Sequence, residues 1–203
     1  VGALSRFLIA IATMQLVSSK RGKTPVLRYY TSMSHENSNA CVRVAVLTVS
    51  DTRTLANDKS GEIAITELQV AGHTVEEREI VRDASDEIAM IVSTWSKDDS
   101  IDAIVVTGGT GPSRRDITPD TVIPMMESIM PGFGELFRQL SYEEIGPSAM
   151  LSRAVAGWID SGSKRTPIFL LPGSPKAVSL GVSALIAPQL GHLLSLCLVE
   201  AIE

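Results

Sequence analysis

One stretch decides the fold: Ile104-Val105-Val106-Thr107-Gly108-Gly109-Thr110-Gly111-Pro112-Ser113-Arg114-Arg115-Asp116-Ile117-Thr118-Pro119. Its apolar, β-branched start predicts a strand buried on both faces, as in a parallel sheet. Glycines after such a strand let the chain turn tightly and bring backbone N–H groups close to an anion. Thr118 is the expected N-cap of the next helix and Pro119 its first residue. Because arginines and Asp116 share the loop, the stretch predicts a site for a phosphorylated ligand.

The loop by itself also fits a plainer interpretation, an ordinary strand-to-helix turn with solvated arginines and a capping aspartate. It is not a Walker A loop, because no Gly-Lys-Ser/Thr follows the glycines. It is also a poor dinucleotide fingerprint, because Arg114 stands where the third glycine would fall. The loop alone therefore indicates an anion without saying which one.

Strands and helices alternate along the rest of the chain. The hydrophobic pattern predicts strands over 43–49, 74–81, 101–107, 152–159 and 167–171, the second of them near a sheet edge. It predicts helices over 59–71, closed by Gly72, and over 85–95, 118–128, 133–144 and 175–194. This alternation predicts a three-layer α/β fold, a mostly parallel, Rossmann-like sheet with helices on both faces.

Composition narrows the class of protein. The chain has 203 residues, a formal net charge of −5 and only 4% aromatic residues, which argues against a nucleic-acid partner. Cys41 and Cys197 match no metal-site spacing and suggest no disulfide framework, so we expect a reducing, cytoplasmic compartment. The three histidines are scattered and suggest no ligand cluster, and no membrane span is expected.

The first 40 residues differ from the remainder. Residues 1–35 carry five basic residues and no acid, and they include a short apolar run over 7–14. A transit peptide has this composition, but an extension outside the fold fits better. We therefore expect residues 1–40 to be such an extension and residues 41–203 to be one domain.

Polar residues follow the predicted parallel strands at the edge where ligands bind in open α/β sheets. They are expected to converge there, although each one also suits a cap or a turn. The residues in question are Ser50, Asp51, Asp58, Ser60, Asp83, Thr107, Asp116, Ser174 and Lys176.

Six motifs, in order over residues 42–195, resemble the family of molybdenum cofactor biosynthesis protein B, the molybdopterin adenylyltransferases and the gephyrin G domain. They are Leu-Thr-Val-Ser-Asp51, Thr107-Gly-Gly-Thr-Gly-Pro with Arg-Asp-Ile-Thr-Pro119, Met130-Pro-Gly-Phe-Gly-Glu-Leu-Phe-Arg138, Glu143-Glu-Ile-Gly146, Leu151-Ser-Arg-Ala-Val-Ala-Gly157 and Leu171-Pro-Gly-Ser-Pro-Lys176. The later motifs look most similar to the protein B branch.

The resemblance implies a molybdopterin-binding fold and a reaction, the Mg²⁺-dependent adenylylation of molybdopterin by ATP with release of pyrophosphate. The alternative is a non-catalytic molybdopterin-binding or assembly subunit of the same pathway. The family's two functional aspartates, which we expect to hold Mg²⁺, fall on Asp83 and Asp116, with Asp86 as a rival to Asp83. Phosphate and nucleotide contacts are expected at Ser50, Asp51, Thr107, Gly108, Gly109, Thr110 and Gly111, and molybdopterin contacts at Ser152, Arg153, Gly173, Ser174 and Lys176.

The resemblance also implies partners. It implies a homotrimer, or a hexamer as in the protein B branch, acting between molybdopterin synthase and a molybdenum-insertion protein. The motifs do not distinguish a molybdenum from a tungsten pathway. Apolar residues around the fourth helix suit either the core or a subunit contact: Met125, Met126, Met130, Phe133, Leu136 and Phe137.

Overall fold

A mixed sheet covered by helices makes up the part of the chain that the structure, a computed structural model, describes, residues 40–162 and 164–199. Its strands are β1 (Arg43–Val49), β2 (Thr74–Val81), β3 (Ala103–Thr107), β4 (Ser128–Ile129), β5 (Val155–Asp160) and β6 (Arg165–Leu171). They lie in the order β2-β1-β3-β6-β5-β4. Strands β2, β1, β3 and β6 are parallel, whereas β5 runs antiparallel to β6 and β4 antiparallel to β5. The predicted, mostly parallel α/β fold is confirmed.

Helices cover both faces of this sheet. They are α1 (Lys59–Val70), α2 (Ser85–Lys97), α3 (Thr118–Val122), α4 (Pro131–Ile145), α5 (Pro175–Gly181) and α6 (Leu190–Val199). One apolar core packs α1, α4 and α5 against the sheet, and a second core packs α2 and α3 against the opposite face. Side chains alternate between the two cores along β1, because successive residues of a strand point to opposite faces. The three predicted layers follow from this alternation.

The edge position predicted for residues 74–81 is also confirmed, because β2 is one of the two edge strands of the sheet. Its sequence, Thr-Val-Glu-Glu-Arg-Glu-Ile-Val, leaves no side chain fully buried. Charged side chains on an edge strand oppose pairing with another chain.

The helix predicted over residues 118–128 is wrong in its length. Helix α3 ends at Val122, a 3-10 turn covers Ile123–Met125, and the chain then forms the short strand β4 against β5. Pro124 has no backbone N–H to continue an α-helix. The predicted N-cap is also displaced by one residue, because Ile117 occupies the cap position and Thr118 is already helical. The Thr118 hydroxyl instead donates to the Gly108 carbonyl at 3.0 Å.

The C-terminal helix is less regular than the predicted helix over 175–194. Helix α5 passes through a π-helical turn at Val182–Ile186 and a 3-10 turn at Ala187–Gln189 before α6 begins. Pro188 interrupts the α-helical hydrogen bonds here. By length and composition alone, the helical run Pro175–Leu196 would also suit a membrane span. Its buried residues, however, pack into the first apolar core, which is typical of a core helix.

Smaller differences concern the ends of elements. The strand predicted from Ser152 begins at Val155, because residues 146–151 form a 3-10 helix. Helix α1 has Ala71 as its C-cap, and Gly72 follows in the left-handed region with φ 90°. The predicted extension over residues 1–40 lies, apart from Ala40, outside the described residues.

The topology gathers five chain segments at one edge of the sheet. The parallel strands β1, β2, β3 and β6 all end there, and the antiparallel strand β5 begins there. Polar loops that are far apart in sequence therefore meet at this edge. In open α/β sheets, ligands bind at the carboxyl ends of the strands.

Candidate functional site

A cleft of about 420 Å³ lies at this edge. The predicted residues Ser50, Asp83, Asp116, Gly173 and the glycine loop 108–111 line it. Val49, Thr52, Arg53 and Pro172 complete the lining, and no motif in the sequence indicated these four as site residues. The site is thus built from the loops after β1, β2, β3 and β6.

The glycine loop depends on backbone conformations that only glycine adopts easily. Gly108 and Gly109 have φ of 104° and 63°. A Cβ atom on Gly108 would collide with the Val49 carbonyl. A Cβ on Gly109 would lie 2.9 Å from Asp83 Oδ1, and one on Gly111 would lie 2.8 Å from Asp116 Oδ2. The missing side chains therefore let two carboxylates approach the backbone of the loop.

Thr110, within this loop, has a buried hydroxyl that no group in the described protein satisfies. The residue is 1% exposed, and its Oγ1 has no hydrogen-bond partner. A buried polar atom without a partner is costly, unless a ligand or water completes it. Because Thr110 lines the cleft, its hydroxyl is a natural partner for an oxygen-rich ligand.

Three carboxylates share one side of the site. Asp51 Oδ1 accepts a hydrogen bond from the Asp83 backbone N–H at 3.2 Å. Desolvation raises the pKa of Asp83, and the nearby charges of Asp51 and Asp116 raise the pKa further. Asp116 also accepts from the Ser113 N–H at 2.9 Å, which shapes the loop but leaves its carboxylate in the cleft lining. This arrangement concentrates negative charge that a cation would neutralise.

The donor set fits magnesium. Mg²⁺ binds to one or two carboxylates and completes its shell with phosphate oxygens and water. Asp83 and Asp116 line the cleft, whereas the rival residue, Asp86, lies exposed in the first turn of α2, outside the cleft lining. Over residues 40–162 and 164–199, no three His, Cys, Asp or Glu side chains form a ready-made metal site. A cation here would therefore need oxygens from its ligand.

A fully buried carboxylate, that of Asp58, joins the strands and loops behind the cleft. Asp58 caps α1 through the Gly61 N–H at 3.1 Å and accepts the Thr48 hydroxyl at 2.7 Å. It also pairs with Arg53 of the β1–α1 loop at 3.3 Å and with Arg78 of β2 at 3.2 Å. Burial by itself raises the pKa of Asp58, but these hydrogen bonds and Arg78 outweigh it and lower the pKa. Asp58 is therefore an internal organiser and does not line the cleft, contrary to its expected convergence with the ligand-facing residues.

Several other predicted residues already have partners within the protein. The Thr107 hydroxyl donates to the Pro172 carbonyl at 3.2 Å, and Ser60 donates to the Gly173 carbonyl at 2.7 Å. Ser50 accepts from the backbone of Thr52 and Arg53, each at 3.3 Å. These contacts connect the loops to one another.

Arg153 binds the backbone of the glycine loop and of the segment that follows it. Its backbone N–H donates to Thr110 O at 3.0 Å and its Nε–H to Gly111 O at 3.0 Å. The guanidinium also reaches the Asp116 carbonyl and pairs with Asp120 at 2.8 Å. Arg153 therefore fixes the backbone at Thr110, Gly111 and Asp116, a positioning contact that the sequence alone did not indicate.

The remaining residues predicted for molybdopterin lie at the same edge, outside the cleft lining. Ser174 caps α5 and accepts a hydrogen bond from the Ala177 N–H at 3.3 Å. It is therefore an N-cap residue, as the alternative interpretation expected. Ser152 accepts from the Ala154 N–H at 3.2 Å. Lys176 is exposed on the first turn of α5.

Comparison with known proteins adds an independent finding. A family model described as "probable molybdopterin binding domain" matches residues 45–192. Molybdenum cofactor biosynthesis protein B of Bacillus subtilis is 45% identical over 152 residues, which are 74% of this chain and 87% of that protein. A crystal structure of a molybdenum cofactor biosynthesis protein B is 41% identical with a TM-score of 0.75, covering 79% of this chain and 98% of that one. The tungsten cofactor synthesizing protein of Pyrococcus furiosus is 35% identical with a TM-score of 0.70, covering 77% and 97%.

Substitution of Asp58 tests the network behind the cleft. Asp58→Asn should lower the free energy of unfolding at pH 7 by about 1–3 kcal/mol, because two guanidiniums lose their buried carboxylate. The pKa of Asp58 is lowered on folding, so its contribution is present above an unfolded pKa of about 3.9 and is lost as the pH falls through the lower folded value. Urea unfolding between pH 2 and 7 measures both effects. Glu127→Gln, which removes an exposed ion pair with Arg165, is the control and should cost under about 1 kcal/mol.

Substitution of Asp83 tests the crowding of negative charge. Because its pKa is raised on folding, the ionised carboxylate destabilises the metal-free protein as the pH rises through that pKa. Asp83→Asn should therefore raise the melting temperature in EDTA at pH 7.5 by about 1–3 °C. Asp86→Asn, which changes a residue outside the cleft lining, is the control and should not raise the melting temperature in EDTA. A lower melting temperature for Asp83→Asn would contradict the repulsion.

Proposed function

The chain belongs to the molybdenum cofactor biosynthesis protein B family, and from that premise we propose that it adenylylates molybdopterin with MgATP. Family membership supports the role in molybdenum cofactor biosynthesis; the reaction itself is our proposal. One observation carries it: the carboxylates of Asp83 and Asp116 converge on the glycine loop within a single cleft.

The proposed reaction is a transfer of AMP. An oxygen of the molybdopterin phosphate attacks the α-phosphorus of ATP, the bond from that phosphorus to the β-phosphate oxygen breaks, and pyrophosphate leaves. The nucleophile is already an anion, so the protein needs no serine, cysteine or histidine nucleophile. Its task is to align two anions and to neutralise charge at the α-phosphate. A cleft rich in backbone amides and carboxylates suits that task.

The described residues divide this work between them. The N–H groups of residues 109–111 and the Thr110 hydroxyl are suited to the ATP phosphates, whereas the Gly108 N–H already donates to the Leu171 carbonyl at 3.0 Å. Asp83 and Asp116 would hold Mg²⁺, which supplies positive charge to the phosphates. Asp51 holds the backbone of Asp83 and so positions that carboxylate. Because Arg153 bonds to the carbonyl of Asp116, it positions the second carboxylate.

We assign molybdopterin to the neighbouring loop over residues 172–176. The Gly173 carbonyl is held by Ser60 and Arg53, each at 2.7 Å, so this loop has a fixed position beside the cleft. Lys176 adds an exposed cation for the molybdopterin phosphate. Ser152 precedes β5, in a segment where Arg138 donates to the carbonyl of Ala154 at 3.0 Å. The two substrates would then meet where the loops after β3 and β6 adjoin.

The proposed product is the form of molybdopterin activated for metal insertion. A molybdopterin synthase supplies the substrate in this proposal, and a molybdenum-insertion protein takes the product. We place both steps in the cytoplasm, with neither nucleic acid nor membrane as a partner. One structural neighbour is a tungsten cofactor synthesizing protein, so the fold alone does not distinguish molybdenum from tungsten. In this proposal the partner proteins determine which metal is inserted.

Turnover is the direct test of the proposal. The protein incubated with molybdopterin, ATP and Mg²⁺ should release pyrophosphate and form adenylylated molybdopterin. Asp116→Asn should slow this by about 10²-fold or more, as for loss of one strong electrostatic contact at a transition state, while molybdopterin still binds. Asp86→Asn should turn over normally. Tight molybdopterin binding without any product from the wild type would refute the enzyme and favour a non-catalytic binding or assembly subunit.

An apolar surface supports assembly of the protein into a trimer or hexamer. Phe133 and Phe137 belong to the core, but large apolar side chains of α4 and the turn after it are half or more exposed. They are Leu136, Tyr142, Ile145, Met150 and Leu151. Clustered exposed apolar groups mark interaction surfaces in soluble proteins.

Light scattering tests this assembly with two matched variants. Met150 is 77% exposed on the apolar surface, and Val70 is 80% exposed at the end of α1. Met150→Glu should shift the wild-type trimer or hexamer toward monomer, because a charge buried between subunits is costly. Val70→Glu should leave the mass unchanged. A monomeric wild type that turns over fully would contradict the assembly.

A further inference from the structure

Arg53 reaches the cleft beside the loops that would hold the two substrates. Arg53 lines the cleft, and its side chain is 27% exposed. Among the described residues that line the cleft, it alone carries a positive charge. We propose that Arg53 binds a phosphate oxygen of a substrate and that Asp58 holds its guanidinium in position. The inference rests on the proposed function and assigns one further substrate-binding residue to it.

The charges behind the cleft leave one positive charge in excess. Asp58 carries a single negative charge, yet it pairs with both Arg53 and Arg78. Arg78 donates to two oxygens of Asp58, the backbone carbonyl at 3.1 Å and Oδ2 at 3.2 Å. The Arg53 contact, at 3.3 Å to Oδ1, is long for a charge-assisted hydrogen bond, which usually measures about 2.7–2.9 Å. The charge of Arg53 is therefore only partly compensated.

The remaining hydrogen-bonding capacity of Arg53 points to an anion. A guanidinium has five N–H donors and no acceptor. In Arg53, one donates to Asp58 and another to the Gly173 carbonyl at 2.7 Å. These two bonds to the protein hold the planar guanidinium in position, and its other N–H donors can bind a ligand. Arginine held in this way suits recognition of phosphate oxygens.

The position of Arg53 complements the acids of the cleft. Asp83 and Asp116 come from the loops after β2 and β3, whereas Arg53 follows β1 and bonds to the loop after β6. A phosphate in the cleft would meet the carboxylates through a metal ion and the guanidinium directly. Because Gly173 belongs to the proposed molybdopterin loop and Arg53 bonds to its carbonyl, the phosphate can belong to either substrate. Separate binding measurements distinguish these two sources.

A matched pair of variants tests the inference. Arg53→Gln and Arg78→Gln each remove one guanidinium from Asp58, but only Arg53 lines the cleft. Calorimetric titration with MgATP, and separately with molybdopterin under anaerobic conditions, gives the dissociation constants. We expect Arg53→Gln to weaken at least one of the two by roughly tenfold or more, as for loss of one charge-assisted hydrogen bond. Arg78→Gln should stay within about threefold of the wild type for both.

Further readouts separate binding from folding. Melting temperatures, together with the Arg53→Lys variant, show whether the fold is intact; the lysine keeps the charge but loses the planar fork and should bind with intermediate affinity. Equal dissociation constants for Arg53→Gln and Arg78→Gln with both ligands would overturn the inference. Because these titrations need no turnover, a wild type that binds but forms no product would refute the proposed reaction alone.

Discussion

The buried carboxylate of Asp58 is the constraint on which the rest of this site depends. It caps α1, accepts a hydroxyl from β1 and pairs with an arginine of β2, so three elements are fixed around one charge. Through Arg53 it also reaches the carbonyl of Gly173, on the loop after β6. Gly61 in the first helical turn is part of the same constraint, because a Cβ there would collide with the carboxylate. The loops that form the cleft thus share one internal anchor.

The groups that line the cleft are suited to binding a cation and phosphate oxygens. Carboxylates from neighbouring loops repel each other around Asp83, and the Thr110 hydroxyl is buried without a partner. A cation would relieve the repulsion, and a phosphate oxygen would satisfy the hydroxyl. Sites whose groups are strained or unsatisfied without ligand are typical of function. This match to a cation and to phosphate oxygens is the physical support for the proposed metal-assisted phosphate reaction.

The sequence predicted the layers of the fold and the edge of the sheet at which the cleft lies, because both follow from local patterns. Apolar runs located the strands, and the glycines located the loop that lines the cleft. It misplaced the ends of helices where prolines such as Pro124 and Pro188 intervene. It also grouped Asp58 and Thr107 with the ligand-facing residues, although both bond inside the protein. Spacing along the chain shows which loop a residue occupies, but contacts between distant loops decide which way its side chain faces. The sequence therefore did not indicate that Arg53 lines the cleft.

A crystal structure with ATP and Mn²⁺ in place of Mg²⁺ would test the central claim most directly, because the anomalous signal of manganese locates the cation. The account predicts a manganese peak at coordination distance from Asp83 and Asp116, with a phosphate oxygen of ATP in the same coordination shell and the other phosphates on the loop 108–111. A manganese peak away from both aspartates, or ATP bound elsewhere on the protein, would contradict it.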